Sequence, residues 1–246
     1  MIDNSPVCID EFLPFQIPET WAWCKVKDLL EIQTGASFKK EQVNANKKGI
    51  RILRGGNILP NKYIFKNDDV FVSDEFVNTN TLLKKNCIIT PAVTSLENIG
   101  KMAVIEKDYN NVSAGGFVFI ISPYIQDINH SLVLAYFLQS PFLIEAMRGI
   151  TKKSGAAFYN LGKERLKELY LPLPPITEQR RIVDKINEVL SSIGRSQLNV
   201  WSVLTIKFHL KYLQHGVGLG TINCLKYQAV HSLLNLSLLI VLNQDI

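Results

Sequence analysis

Beyond residue 175 the chain places Ile182, Ile186, Val189 and Ile193 at a 4-3-4 spacing, with Val183 and Leu190 alongside and Arg181, Asp184, Lys185 and Glu188 opposite. That period puts the apolar set on one face of a helix. Three prolines, Pro172, Pro174 and Pro175, stand before it. They fix φ and withhold amide donors, so a strand through Tyr170 and Leu171 is predicted to end at Pro172. Thr177 is the predicted N-cap, and Glu178 puts negative charge in the first turn, where the helix dipole favours it. Arg180 stands where a full capping box would want Glu or Gln. A helix this short gains little from propensity, so its seam must be covered. Amphipathicity alone favours cover by its own domain.

Upstream the period changes repeatedly. Residues 23–26 read as a strand, followed by a short helical turn capped by Asp28 and holding Leu29, Leu30 and Ile32. Trp21 and Trp23 read as core or rim rings. The alternation in Ile50-Arg51-Ile52-Leu53, with Gly55-Gly56 after it, predicts a strand ended by a tight turn. Residues 63–65 and 70–72 predict a further pair of short strands joined by a polar turn, and residues 74–81 one helical turn. Three more strands are predicted over 87–91, 101–105 and 116–121, the last a nearly continuous apolar run that implies burial on both faces. Helical patterns cover 131–139 and 141–150, with Pro141 suited to a first turn and Gly149 to an end. A loop over 151–160 and a short helix over 163–169 return the chain to the prolines. The predicted class is mixed α+β, followed by a long coiled-coil-type helix.

Composition changes this picture little. A chain of 246 residues with 47% hydrophobic and 20% charged positions is globular rather than disordered. Its net charge of +5 permits nucleic acid without demanding it. The distribution says more. Between residues 39 and 62 stand Lys39, Lys40, Lys47, Lys48, Arg51, Arg54 and Lys62 against one acid, Glu41. A solvated loop is the plain reading. A phosphate-facing surface is the functional one, since counterion release supplies most sequence-independent DNA affinity. The 151–160 loop adds Lys152 and Lys153, near Arg148, with no acid between Glu145 and Glu164.

The four cysteines, Cys8, Cys24, Cys87 and Cys224, include no C-x-x-C pair, which argues against a zinc site or a disulfide framework. They suit a reducing compartment. Residues 1–15 carry Asp3, Asp10 and Glu11 but no basic residue or long apolar run, so no secretory signal is expected and the expected location is cytoplasmic. Residues 201–246 hold only Lys207, Lys211, Lys226 and Asp245 as charges. Their apolar stretch at 232–242 is too short to span a membrane. The Gly216-Val217-Gly218-Leu219-Gly220 run lacks the strand and helix that a nucleotide loop needs. His130, His209, His215 and His231 show no pairing that suggests a metal or a triad, and no Asn-Pro-Pro-Tyr, nuclease or His-Glu-x-x-His motif is present. The residues read as recognising rather than reacting.

Leu171-Pro172-Leu173-Pro174-Pro175-Ile176-Thr177-Glu178-Gln179-Arg180-Arg181-Ile182-Val183 resembles the junction between a target-recognition domain and a conserved coiled-coil helix in the specificity (S) subunits of type I restriction-modification systems. Trp21, Val26, Leu29, Ile32 and Gly35 resemble the opening of that domain. Arg54-Gly55-Gly56-Asn57-Ile58 resembles its Arg-Gly-Asn-Ile segment with an added glycine. Asn98-Ile99-Gly100-Lys101 resembles its Ile-Gly-Lys loop, with Thr94-Ser95 where a glycine is usual, and the Gly155 loop resembles the segment before its last short helix.

The resemblance implies a target-recognition domain over 13–173 with a twisted, irregular β-sheet and flanking helices, a spacer helix over 176–200, and an atypical tail, truncated or frameshifted, over 201–246. It further implies a subunit that reads one half of a bipartite site in double-stranded DNA and docks modification (methyltransferase) subunits and a restriction subunit. No catalysis, metal, cofactor or membrane is expected of this chain, with S-adenosylmethionine, ATP and Mg on the partner subunits. With one recognition domain and one helix it looks like a half-length form. Two copies are expected to pair through Ile182, Ile186, Val189 and Ile193 on an interrupted palindrome. The expected DNA-backbone contacts are Lys39, Lys40, Lys47, Lys48, Lys152 and Lys153. The expected base readers are Arg51, Arg54, Asn57, Asn98 and Tyr159. A recognition-domain fragment of a DNA methyltransferase and a scaffold that binds no DNA are the alternatives.

Overall fold

A computed structural model of the chain describes residues 15–192. Along it run β1 (Ala22–Lys25), α1 (Val26–Leu29), β2 (Leu30–Thr34), β3 (Ile50–Leu53), β4 (Ile58–Leu59), β5 (Lys62–Tyr63) and β6 (Val70–Val72). Next come β7 (Ile88–Pro91), β8 (Val93–Thr94), β9 (Ala103–Val104), β10 (Val112–Ala114) and β11 (Val118–Pro123). The last elements are α2 (Ile128–Leu138), α3 (Pro141–Gly149), β12 (Lys152–Ser154), β13 (Phe158–Asn160), α4 (Lys163–Lys167), β14 (Tyr170–Leu173) and α5 (Ile176–Ser192). This is a mixed α+β fold with several small, irregular sheets.

Its largest sheet is antiparallel with strand order β2-β11-β7-β9. Successive side chains of a strand point to opposite faces. Phe119 and Ile121 of β11 therefore join a cluster with Leu134 and Phe137 of α2, while Val118 and Ile120 join another with Leu53, Ile89 and Ala114. The apolar run is buried on both sides, as its composition predicts, although its neighbours are antiparallel. A second sheet, β10-β3-β6, gathers Ile50, Ile52 and Val72 with Ala36 and Val77 in a third cluster. Gly35 N extends the β2–β11 ladder onto Val118 O, and the two sheets touch one residue on, where Ala36 N donates to Ala114 O. The backbones are so close there that a Cβ on Gly35 would collide with the Ala114 carbonyl, which reserves the position for glycine.

Several local expectations are corrected. Leu30 and Ile32 belong to β2 rather than to a helical turn capped by Asp28, because they alternate with Glu31 and Gln33 and so bury a strand face. The strands at 62–63 and 70–72 do not pair with each other; β5 pairs with β4 and β6 with β3. Residues 74–81 form two 3-10 turns, Asp74–Phe76 and Thr79–Thr81. Residues 151–160 are the hairpin β12–β13, which continues onto β8, rather than a loop. Finally, β14 runs through Pro172 to Leu173 against β1. Val26 N donates to Leu169 O, so by antiparallel alternation Trp23 and Pro172 face each other at a non-hydrogen-bonded position. A proline is tolerated there.

Helix α2 is apolar almost all round, with Val133 to Leu138 buried without a break. Such a helix needs cover on more than one side, and it has the sheet on one and α5 on another. Helix α5 begins earlier than Thr177. Glu178 N and Gln179 N both donate to Pro175 O, at 2.9 and 3.0 Å, so Pro175 occupies the capping position and Thr177 lies inside the first turn. Ile182 and Val183 are 5% and 2% exposed in the α2 cluster, and Ile186 packs at its edge. Ile182 is thus a core residue of its own domain, which corrects its assignment to a surface for a second copy. The Val189 side chain, Ile193, residues 1–14 and the tail over 201–246 lie outside the described residues.

Polar contacts fix the same joint. Trp21 Nε1 donates to Glu178 Oε2 at 2.9 Å. Gln179 Nε2 donates to Pro174 O at 2.9 Å, which turns its Oε1 toward His130 Nδ1, also at 2.9 Å. Fully buried His130 therefore donates from Nδ1 to Gln179 Oε1. Among the described residues no helix is long and apolar enough to cross a membrane.

Glu168, which follows α4, ties this segment to the first elements of the domain by bridging Lys25 of β1 at 2.7 Å and Lys27 of α1 at 2.8 Å. Hydrogen bonds from Lys25 and then Lys27 hold its carboxyl down from the usual 4.5 to about 2. A carboxyl depressed on folding contributes stability above its unfolded value and loses it as pH falls through the folded one. The contribution is small because the partners are solvated. Melting temperature is expected to fall more steeply between pH 4.5 and about 2 in the parent than in Glu168→Gln. Parallel curves would show that the bridge adds nothing.

Candidate nucleic-acid interface

The turn after β3 is built on a buried amide. Asn57 is 1% exposed; its Oδ1 accepts from Arg54 N at 2.8 Å, and its Nδ2 donates to Ile64 O at 3.0 Å and to Asp69 Oδ1 at 2.6 Å. Buried Asp69 also accepts from Lys66 N at 2.8 Å and lies 3.7 Å from Arg51 Nε. The Arg51 guanidinium sits over the Phe65 and Phe71 rings, 4.7 and 5.0 Å from their centroids. Asn57 therefore has no amide atom left for a base edge, and Arg51 is held by a buried carboxylate and two rings. Both are corrected from base readers to parts of the turn. Short polar side chains serve this way because they satisfy backbone donors where a strand ends. Arg54 faces outward, half exposed, and donates to Asp68 O at 3.1 Å.

Cations gather around the same turn. Lys47 Nζ donates to Asn67 O at 2.7 Å, and the Lys66 ammonium lies beside Gly56. Lys47, Arg54 and Lys66 thus converge on the 66–69 segment around exposed Asp68, with Lys48 exposed next to them. Lys39 and Lys40 are exposed at a second point, the 3-10 turn Lys40–Gln42. That turn follows Ser37, which abuts Gly116.

The ribbon β12-β13-β8 makes the third group. Its registers are Lys152 with Asn160 and Val93, and Lys153 with Tyr159 and Thr94. Cross-strand neighbours share a face. Lys152 therefore stands on one face with Asn160, while Lys153 shares the other with half-buried Tyr159 and buried Thr94. The two neighbouring lysines thus start from opposite faces of the ribbon, both exposed. Nearby, Asn98 Nδ2 donates to Ser95 Oγ at 2.7 Å, and Arg148 Nε donates to Leu96 O at 3.2 Å. Glu97 adds an acid, held below its usual range by its own backbone N–H and Ser95, with Lys101 and Arg148 contributing.

The exposed rings that escaped the sequence reading include Phe117 and Phe158. Phe117, expected inside a strand, is 71% exposed because it and Gly116 form a turn closed by Val118 N on Gly115 O, and β11 begins only at Val118. Phe158, expected in a loop, is 54% exposed on the ribbon. The paired glycines are the one signal that could have found the first. Among the described residues no three His, Cys, Asp or Glu side chains group as metal ligands. Burial pushes the Cys87 thiol up to about 12, so it stays neutral at physiological pH. The surface offers cations and aromatic rings on loops and a ribbon, fixed from below by packed strands.

The family model described as "Type I restriction modification DNA specificity domain" matches residues 18–199. The specificity subunit of the Escherichia coli type I restriction enzyme EcoAI is 26% identical over 208 residues, covering 83% of this chain and 34% of that protein. The EcoKI specificity subunit of Escherichia coli K12 is 24% identical over 211 residues, covering 85% and 44%. The chain thus spans less than half the length of these curated relatives. The crystal structure of the HsdS subunit from Thermoanaerobacter tengcongensis aligns with a TM-score of 0.51 at 17% identity, over 90% of this chain and 46% of that one, a likeness of fold.

Asn57→Ala is expected to destabilise the protein by about 2–4 kcal/mol, since it leaves Asp69 and the Arg54 amide without their partner. Denaturant unfolding measures this. A loss below about 0.5 kcal/mol would show the buried network to be dispensable.

Proposed function

The chain belongs to the type I restriction modification DNA specificity domain family, and from that premise we propose that it reads one half of a bipartite site in double-stranded DNA within a type I restriction-modification complex. The observation that carries this reading is the set of cations presented from three separate supports: the 66–69 turn, the Lys40–Gln42 turn and the β12–β13 ribbon. Point charges on loops suit phosphates, which position a protein on the duplex without specifying sequence. Lys39, Lys40, Lys47, Lys48, Lys152 and Lys153 keep that role in the proposal. For base edges it retains Arg54, Asn98 and Tyr159, with Arg54 the most exposed of the three.

In this reading residues 13–173 are the recognition domain and 176–200 the spacer helix. The exposed face of α5, with Arg181, Asp184 and Glu188, docks modification subunits, and the restriction subunit joins the assembled complex. Methyl transfer and cleavage, with S-adenosylmethionine, ATP and Mg, take place on those partners in the cytoplasm. A pairing of two copies uses the later helix, Ile186, Val189 and Ile193, since Ile182 is already covered. Such symmetry gives an interrupted palindromic site.

Affinity for a duplex oligonucleotide is expected to fall linearly with salt on a log–log plot, and Lys39→Ala or Lys152→Ala is expected to reduce the slope by about 0.9 each. Affinity unchanged between about 50 and 200 mM salt would refute DNA binding through phosphates. Sedimentation of the full chain tests the pairing. Ile193→Asp is expected to turn a dimer into a monomer, and a parent that is already monomeric at assay concentrations would end that part of the proposal.

A further inference from the structure

Phe117 is the most exposed large apolar side chain of the described residues, at 71%. It follows Gly115-Gly116 and precedes four residues, Val118 to Ile121, that are all buried. Its backbone is held from three directions. Phe117 O accepts from Ala92 N at 2.8 Å and from Val93 N at 3.4 Å, Val118 N closes the turn on Gly115 O at 2.8 Å, and Gly115 N donates to Leu53 O at 2.8 Å. The mount is rigid and the ring is not covered. A ring displayed on a fixed backbone loses little freedom when it binds.

Its surroundings say what it would meet. On one side Gly116 abuts Ser37, two residues before Lys39 and Lys40. Beneath, a Cβ at Gly115 would lie 3.9 Å from Arg54 Cγ. On the other side Val93 pairs with Asn160, which pairs with Lys152, so that lysine stands about 10 Å from Val93 across two strand spacings. The acids carried on these same segments are Asp68, which Arg54 engages, Glu41 beside Lys40, and Glu97 beyond Thr94. A protein partner would meet a single ring on this turn with Lys39, Lys40, Arg54 and Lys152 on the segments around it, a poor match for an apolar patch. Nucleic acid offers both halves of the match, phosphates for the cations and a base plane for the ring.

Resting on the DNA-reading proposal, we infer that Phe117 is an apolar wedge that enters a base step of the bound duplex and partly unstacks it. Apolar side chains inserted this way kink the duplex and are favoured where the step is already weak. The full chain is titrated with fluorescent duplexes of randomised sequence, fully paired or carrying one mismatch, over a range of salt. Phe117→Ala is expected to weaken binding about tenfold, the size of a lost base–aromatic contact. The log–log salt slope should stay that of the parent, because no charge is removed. The parent should bind the mismatched duplex several-fold more tightly and Phe117→Ala should lose that preference, while Phe117→Trp should restore both and all three proteins melt alike. Phe117→Ala with parental affinity and parental mismatch preference overturns the wedge and leaves DNA reading intact. A loss that comes with a lower salt slope or a lower melting temperature, and that Trp does not restore, also overturns it. A parent that binds no duplex at low salt removes both the wedge and the function it rests on.

Discussion

Burial of one strand on both of its faces is the constraint from which the rest of the domain follows. Strand β11 sends Phe119 and Ile121 into the cluster shared with α2, and Val118 and Ile120 into the cluster shared with β3 and β10. A one-residue slip of its register would exchange the two sets. Its partners are fixed with it: Ile121 faces Ile32 in β2 and Ile88 in β7, and Phe119 faces Thr34 and Thr90. Because the turn before β11 is pinned to Leu53 and Ala92, the register of the core also sets where the surface loops start.

Helix α5 inherits its direction from that core. Ile182 and Val183 pack on α2, which itself rests on β11, and the Trp21–Glu178 and His130–Gln179 contacts lock the first turn. The arrangement has a local cost. His130 Nε2 and Glu178 Oε1 are buried without hydrogen-bond partners among the described residues, and an unpaired buried polar atom typically costs about 1–3 kcal/mol. Packing of two apolar side chains on α2 offsets it, at about 1.5–3 kcal/mol each. The result is a helix whose first turns are held rigidly on the core of the domain.

The outward face follows a different logic. Its cations come from three supports, two of them within residues 39–69 and the third at residues 152–153, and each is anchored by polar contacts underneath: Asn57 and Asp69 below Arg54, the Gln42 turn below Lys39, and the β8 pairing below the ribbon. Removing the anchors would scatter the charges without altering their number. That is why residues with base-reading chemistry, Asn57 and Arg51, turn out to hold the surface rather than to form it.

The sequence by itself determined the elements with strong periods and the family. The apolar run of β11, the two helices α2 and α3, the amphipathic α5 after its prolines, and the Lys-rich 39–62 segment were all legible, because local spacing and composition carry that information. The strand end at Pro172 and the cap at Thr177 were misplaced, since a proline opposite a non-hydrogen-bonded position and a helix start on Pro175 O depend on a partner strand that sequence does not show. Only the tertiary structure decided which polar side chains face inward. Asn57 and Arg54 are three residues apart in a polar turn, yet one is sealed around Asp69 and the other is left in solvent, and that difference comes from a carboxylate brought in from twelve residues away. Burial is a property of what packs on top of a residue, so no local pattern can assign it to a turn, a ring such as Phe117 or the two faces of a ribbon.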